Sequence, residues 1–247
     1  MQKHGIAVFL TVCIFLNNLL SAQSTRPGRM EIGIIAGPTI DWCKTSTYEH
    51  TSKGAKVGGV YGVNTDINLV QTSSNYYFAT GINVRHIRYG LKYTDNYSFF
   101  NYEIQENDTV RAASINSAFN TVYICIPTAI KLKTNEFNQF VFWGLLGMEH
   151  GIAVFSKSND EVKNTENEEV RDFARVNRYK NTAILKESIY FIVGAEYIIN
   201  NGTKLIFGIG YDHGVNNMFR KEYKNSISNA QIKAHTHRIE FQFGVIF

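Results

Sequence analysis

From Ile239 to Phe247 every second residue is apolar. Ile239, Phe241, Phe243, Val245 and Phe247 share one face, and Arg238, Glu240, Gln242, Gly244 and Ile246 share the other. A period of two is the signature of a strand. The stretch stops on Phe247 itself, without a polar tail. At the end of a soluble protein such a strand leaves an edge that invites pairing with other chains. In a membrane barrel the same strand closes the cylinder, and its apolar face meets lipid. The last strand therefore predicts a transmembrane β-barrel and requires enough similar strands upstream to complete it.

Seven more alternating stretches precede it, at about 30–40, 57–70, 76–89, 118–132, 139–155, 186–199 and 203–213. The second is typical: Val57, Tyr61, Val63 and Ile67 alternate with Gly58, Gly62, Asn64 and Asp66. The fifth is apolar on both faces, so its facing is not assigned. The connections alternate in length. Polar segments at 41–56, 90–117, 156–185 and 214–233 are long, whereas 71–75, 133–138 and 200–202 are short. Asn200-Asn201-Gly202 is a strong hairpin signal. Long extracellular loops and short periplasmic turns are the pattern of an outer-membrane barrel. The expected fold is all-β: an eight-stranded antiparallel up-and-down transmembrane β-barrel. The acidic-then-basic segment 156–185 is expected to carry a short exposed helix.

The N-terminus supports export. Lys3 and His4 precede a mostly apolar run from Ile6 to Leu20, and Leu20-Ser21-Ala22-Gln23 offers small residues for cleavage after Ala22. The expected organisation is a signal peptide at 1–22, a periplasmic lead at 23–29 and the barrel at 30–247. Beyond the signal no apolar run of ~18 residues remains to form a helical span. The slightly negative mean hydropathy excludes a polytopic helical membrane protein but suits strands that are only half apolar. Cleavage leaves Cys43, placed in an outer loop, and Cys125, placed in a strand. Neither has metal-site spacing, and both are expected as free thiols.

Further residues carry a family resemblance. They are the Ser21-Ala22-Gln23 junction, the Ile-Pro strand Tyr123-Ile124-Cys125-Ile126-Pro127-Thr128-Ala129-Ile130-Lys131, the segment Gly208-Ile209-Gly210-Tyr211-Asp212-His213-Gly214-Val215-Asn216-Asn217, and the aromatic terminus. With these the chain resembles the PorT-like outer-membrane β-barrel proteins of the Bacteroidetes. The resemblance implies an outer-membrane location. It also implies that Phe241, Phe243, Val245 and Phe247 form a C-terminal assembly signal read by the barrel-assembly machinery, and that envelope or type IX secretion partners are candidates.

An eight-stranded barrel is too narrow for an aqueous channel, so side chains fill it. The polar faces of the strands assign a lumen network to Glu31, Asp66, Arg85, Lys131, Glu196, Asp212, Arg238 and Glu240, with Asn64 and Asn83 beside them. Acids and bases are both present and are expected to pair. The candidate groups nearest the outer rim are His86, His150, Asp212 and His213, with His235 and His237 on the last strand. His235 and His237 share a face, a spacing that offers two imidazoles to a metal, but entry histidines of a strand are more often interfacial. No serine has a nucleophile context, and no catalytic residue, cofactor or metal is assigned. The net charge of +4 favours anionic lipopolysaccharide as a partner, besides outer-membrane lipid; no nucleic-acid motif is present. The expected function is a small barrel with a plugged lumen, structural or surface-binding through its extracellular loops. The alternatives are a secretion or envelope-assembly component, and an outer-membrane enzyme.

Overall fold

The computed structural model describes residues 30–247 except 48–49, 71–72, 98–99, 102–105, 108–110, 166–169 and 201. The expected signal peptide and lead fall outside the described residues. Eight long strands form the barrel: β1 (Met30–Thr45), β2 (His50–Asn68), β3 (Tyr76–Tyr97), β6 (Arg111–Lys133), β7 (Phe140–Asn164), β9 (Leu185–Asn200), β10 (Thr203–Gly214) and β11 (Ala234–Ile246). Two short strands, β4 (Phe100–Asn101) and β5 (Glu106–Asn107), pair with each other, and β8 (Val170–Asn177) pairs with the upper part of β7. Each barrel strand is antiparallel to its sequence neighbours, β6 joins β7, and β11 pairs with β1 from Gly33↔Ile246 to Thr45↔Ala234. The last strand thus closes the ring on the first. No element among the described residues is helical.

The strands run well past the alternating stretches that announce them. A membrane strand needs about 9–11 residues, whereas β3 has 22 and β7 has 25. The reason is a change of chemistry at constant parity. In the lower half of β3, Ile82 and Val84 point outward while Asn83 and Arg85 point inward. Above that, Arg88 and Lys92 point outward while Ile87, Tyr89, Leu91 and Tyr93 point inward. The lower half has the exterior of a lipid-facing barrel. The upper half has the exterior of a soluble one, with its own apolar core of Tyr89, Leu91, Ile115, Phe119 and Val162.

Several expectations are corrected by this. Segments 41–56 and 90–117 are largely strand, and the first upper connection shrinks to 46–49. Cys43 lies not in a loop but on β1, buried against the upper core. Among the described residues of 156–185 the expected helix is absent; β7 continues to Asn164, and β8 returns beside it. Cross-strand pairing with β6 on one side and β8 on the other extends the sheet there. Cys43 and Cys125 are both free and buried.

The facing of β7 is now defined. Val141, Trp143, Leu145, Glu149 and Ala153 point inward, and Phe142, Leu146, Met148, Ile152 and Val154 outward. A bulge beside Val154 then reverses the parity: Val122 pairs with Phe155 and Tyr123 with Ala153, so that Ser156, Ser158, Asp160 and Val162 point inward. Glycines at inward positions of β9 and β10 make room for Trp143. A Cβ on Gly194 would stand 2.5 Å from its indole, and one on Gly208 would stand 3.0 Å from it.

Connection 215–233 folds back over the upper end. Met218, Phe219 and Ile232 join the upper core, and Phe219 meets Phe119 edge-on. Its backbone is held at several points: the amide of Ala183 donates to the Met218 carbonyl at 2.9 Å, and Asn225 Nδ2 donates to the Thr94 carbonyl at 2.6 Å.

Candidate functional site

The alternation that places apolar side chains outside the lower barrel delivers charged ones to its interior, where they form two layers. At the lower end Lys131 Nζ lies 2.6 Å from Asp66 and 2.9 Å from Glu196. Lys133 lies 2.5 Å from Glu31 and 2.9 Å from Glu196, and Lys204 lies 2.7 Å from Glu31. Three lysines thus face three carboxylates. Oxygens of Glu31, Asp66 and Glu196 come within 4.8 Å of one another, a grouping that would attract a cation, but the lysine ammonium groups stand where it would sit. Lys131 also lies over the Trp143 ring and Lys133 over the Tyr77 ring, at 4.6 and 4.4 Å.

The upper layer has the same arithmetic with different residues. Arg85 bridges Glu149 and Glu240. Arg238 binds Asp212 at 2.8 Å, and Lys186 approaches Glu149 at 3.4 Å and Asp212 at 3.5 Å. Ser188 donates to Asp212 at 2.7 Å while accepting from Lys186 at 2.8 Å, and Gln242 donates to Glu240 at 2.7 Å. Three bases again face three acids, and a fourth buried carboxylate, Asp41 on β1, adjoins them near Arg238 and Asp212. All six lie almost wholly out of solvent. Between the layers pack Ile35, Val60, Ala79, Trp143, Leu145, Tyr190, Ile192 and Ile206. The gap left is a cavity of about 30 Å³, bounded by Asp66 and Lys131 below and Asn83, Arg85 and Gln242 above. That is room for about two water molecules.

Each of the eight charged residues read from the strand faces lies in one of these layers. Four partners were missed. Lys133 and Lys204 lie at turn ends, Lys186 lies at the start of β9, one residue after Leu185, and Glu149 sits on the strand whose facing was unassigned. Two-residue spacing from Lys131 to Lys133, and from Lys186 to Ser188, was the available signal.

The exterior above the apolar band is uneven in charge. Lys44 on β1, Lys53 and Lys56 on β2, and Arg88 and Lys92 on β3 are all exposed. The neighbouring β7–β8 side carries exposed Glu161, Asp172 and Lys163. Where the two meet, a recess of about 350 Å³ is lined by Lys53, Lys56, Asn116, Asn159, Glu161 and Asp172.

The rim histidines face outward rather than into the lumen. His86 stacks on Tyr61, and His150 hydrogen-bonds Glu187 at 2.5 Å and Thr128 at 3.2 Å. His213 and His237 are directly paired across β10 and β11. Asp212, counted with them in the sequence as a rim group, points inward into the upper ionic layer. Of the terminal residues, Phe243 and Phe247 are half-exposed on the outer face, with Phe241 and Val245 on the same face.

A family model described as "Outer membrane protein beta-barrel domain" matches residues 21–220. No curated protein matches the chain. Among solved structures, Neisserial surface protein A (NspA) is 10% identical, covering 89% of this chain and 96% of that one, with a TM-score of 0.43. Ail, the attachment invasion locus protein of Yersinia pestis, is 12% identical over 89% and 100%, with a TM-score of 0.38. The outer membrane protease OmpT of Escherichia coli is 10% identical over 92% and 98%, with a TM-score of 0.37.

Proposed function

The chain belongs to the outer membrane protein β-barrel domain family, and on that premise we propose that it is a non-conducting surface barrel that binds anionic lipopolysaccharide headgroups. The observation that carries this reading is the exposed cationic face formed by Lys44, Lys53, Lys56, Arg88 and Lys92 on three adjacent strands, above the apolar band. Phosphates and carboxylates of the outer leaflet lie at that height. Each cation near such a surface contributes ~1 kcal/mol. The projecting strands, rather than mobile loops, hold the charges in place, because their inward faces share one apolar core. The lumen supports the non-conducting part: each base of the two ionic layers is paired with acids, and apolar side chains pack between the layers. The polar network serves register and closure. Phe241, Phe243, Val245 and Phe247 serve as the assembly signal.

The test is binding of purified barrel to lipopolysaccharide compared with zwitterionic lipid. Replacing Lys53, Lys56 and Arg88 together by glutamate should remove the preference, and rising salt should weaken it in the parent. Equal binding by parent and triple variant would refute the reading.

A second reading follows the PorT-like resemblance: a component of an envelope-assembly or type IX secretion machine. One observation favours it. Among the described residues β8 stands at the end of the sheet order, beside β7, the kind of position at which a partner's strand adds. A deletion strain with an unchanged secretome would exclude this reading. Outer-membrane catalysis, the third reading, is supported by no specific arrangement of these residues.

A further inference from the structure

His213 and His237 occupy directly opposed positions on β10 and β11, and both point out of the barrel. Directly opposed residues bring their Cβ atoms to about 4.5–5.5 Å. Here the imidazoles turn toward each other until the two Nδ1 atoms stand 3.3 Å apart. The Tyr211 hydroxyl reaches the same His237 nitrogen at 2.7 Å. Tyr211 is two residues from His213, hence on the same outward face of β10. Two nitrogens and one oxygen therefore converge on one point of the outer rim.

That separation has a chemical meaning. Two imidazole nitrogens bound at about 2.0–2.1 Å to one tetrahedral ion stand about 3.3–3.4 Å apart. The observed distance matches this without rearrangement of the backbone. Neighbouring groups hold the rings. Trp42 on β1 stacks on His237 with centroids 5.7 Å apart and planes 11° from parallel. His235, the diagonal neighbour of His213, is fixed through its Nδ1 to the Gly214 carbonyl at 3.2 Å. If that nitrogen carries the proton, Nε2 keeps its lone pair, the second-shell arrangement common around metal-binding histidines. No carboxylate belongs to the set, so hard oxygen-seeking cations such as Mg²⁺ and Ca²⁺ are poorly matched. Imidazole favours Cu²⁺, Zn²⁺ and Ni²⁺, with Cu²⁺ the strongest.

We propose that His213 and His237, with Tyr211 beside them, form a divalent transition-metal site on the outer rim of the barrel. It differs from the lysine-filled carboxylate group of the lower lumen in place, in ligand type and in accessibility. Lys44 of the cationic face lies next to it, opposite His235, but the residues substituted in the two tests are separate: Lys53, Lys56 and Arg88 for lipopolysaccharide, and His213 and His237 for the metal, so the two proposals fail independently.

Trp42 supplies the readout. The chain has two tryptophans, and replacing Trp143 by Phe leaves Trp42 as the reporter, stacked on one ligand. Full-length barrel folded in detergent is titrated with Cu²⁺ alone. The expected result is saturable one-to-one quenching of Trp42, reversed by chelator. His213→Ala and His237→Ala should each weaken it by more than the roughly 10–100-fold that loss of an outer-shell partner costs. His86→Ala and His150→Ala should leave it unchanged. Electron paramagnetic resonance of the Cu²⁺ form should show at least two nitrogen ligands. Heat-modifiable migration shows that each variant has folded. A folded His213→Ala/His237→Ala double variant that binds Cu²⁺ as tightly as its parent would overturn the proposal, as would a spectrum with fewer than two nitrogens.

Discussion

Arg85 on β3 and Glu240 on β11 meet inside the barrel although β1 and β2 lie between their strands around the ring. Glu149 of β7 reaches the same guanidinium from the far side. One arginine thus links three separated parts of the cylinder. Removing a partner leaves the rest of the layer charged and buried. Glu240→Gln or Glu149→Gln should destabilise the folded barrel by about 3–5 kcal/mol, read from denaturant unfolding in lipid or detergent. Replacing Arg85 and Glu240 together by methionine and leucine should cost less than either single change, since the unpaired charge disappears with its partner.

The reversal of chemistry along β3 predicts opposite responses to the same kind of substitution. Ile82 faces outward within the apolar band, and its replacement by Lys should cost ~2–4 kcal/mol. Arg88 faces outward above the band, and Arg88→Ala should fall within ±0.5 kcal/mol, as surface changes usually do. Its backbone amide, which donates to Asp41 at 3.0 Å, is untouched by the change. Equal costs at the two positions would place the rim elsewhere.

The lower barrel was legible because lipid imposes one rule on every strand. An outward apolar, inward polar alternation appears in Val57–Ile67 and again in Ile239–Phe247, and reads directly as a span. Above the rim the rule inverts, so Tyr89, Leu91 and Tyr93 alternate with Gly90 and Lys92 in the manner of a soluble protein. That inversion made strand look like polar loop from 90 to 117. The ionic partners lost to the reading share a cause. Lys133 and Lys204 sit beside turns, where charge is unremarkable, and Glu149 sits on a strand apolar on both faces whose parity changes at the bulge near Val154. The metal-site pair was half visible. His235 and His237 stood out by spacing, but His213 became the partner only through cross-strand register, which no local pattern carries.

Cys43 gives a chemical test of the upper core. It lies above the lipid-facing band, and burial pushes its thiol up to about 11, against a smaller opposing effect of Ser52. A thiol whose pKa is raised stays protonated and unreactive at pH 8, because the thiolate is the nucleophile. In a Cys125→Ser background, folded protein should resist maleimide labelling at pH 8, and unfolded protein should label fully. Labelling should accelerate only as pH approaches 11. Rapid labelling of the folded form at pH 8 would mean that the upper strands open.

Phe219 anchors the returning connection 215–233 in the same core, where it is nearly inaccessible. Truncating a buried phenylalanine costs about 3–5 kcal/mol. Phe219→Ala should therefore expose this connection to proteolysis while heat-modifiable migration of the barrel persists. Cleavage at parental rates would show that the cap is held by other contacts.

The central claim is that two ion-paired layers and the apolar side chains between them close the lumen. Single-channel recording in planar lipid bilayers tests it most directly. The account predicts that the folded parent inserts without stepwise ohmic conductance, and that a variant opened through both layers, with Glu31, Lys131, Arg85 and Glu240 replaced by alanine, conducts where the parent does not. Stable, reproducible conductance steps from the parent would contradict it.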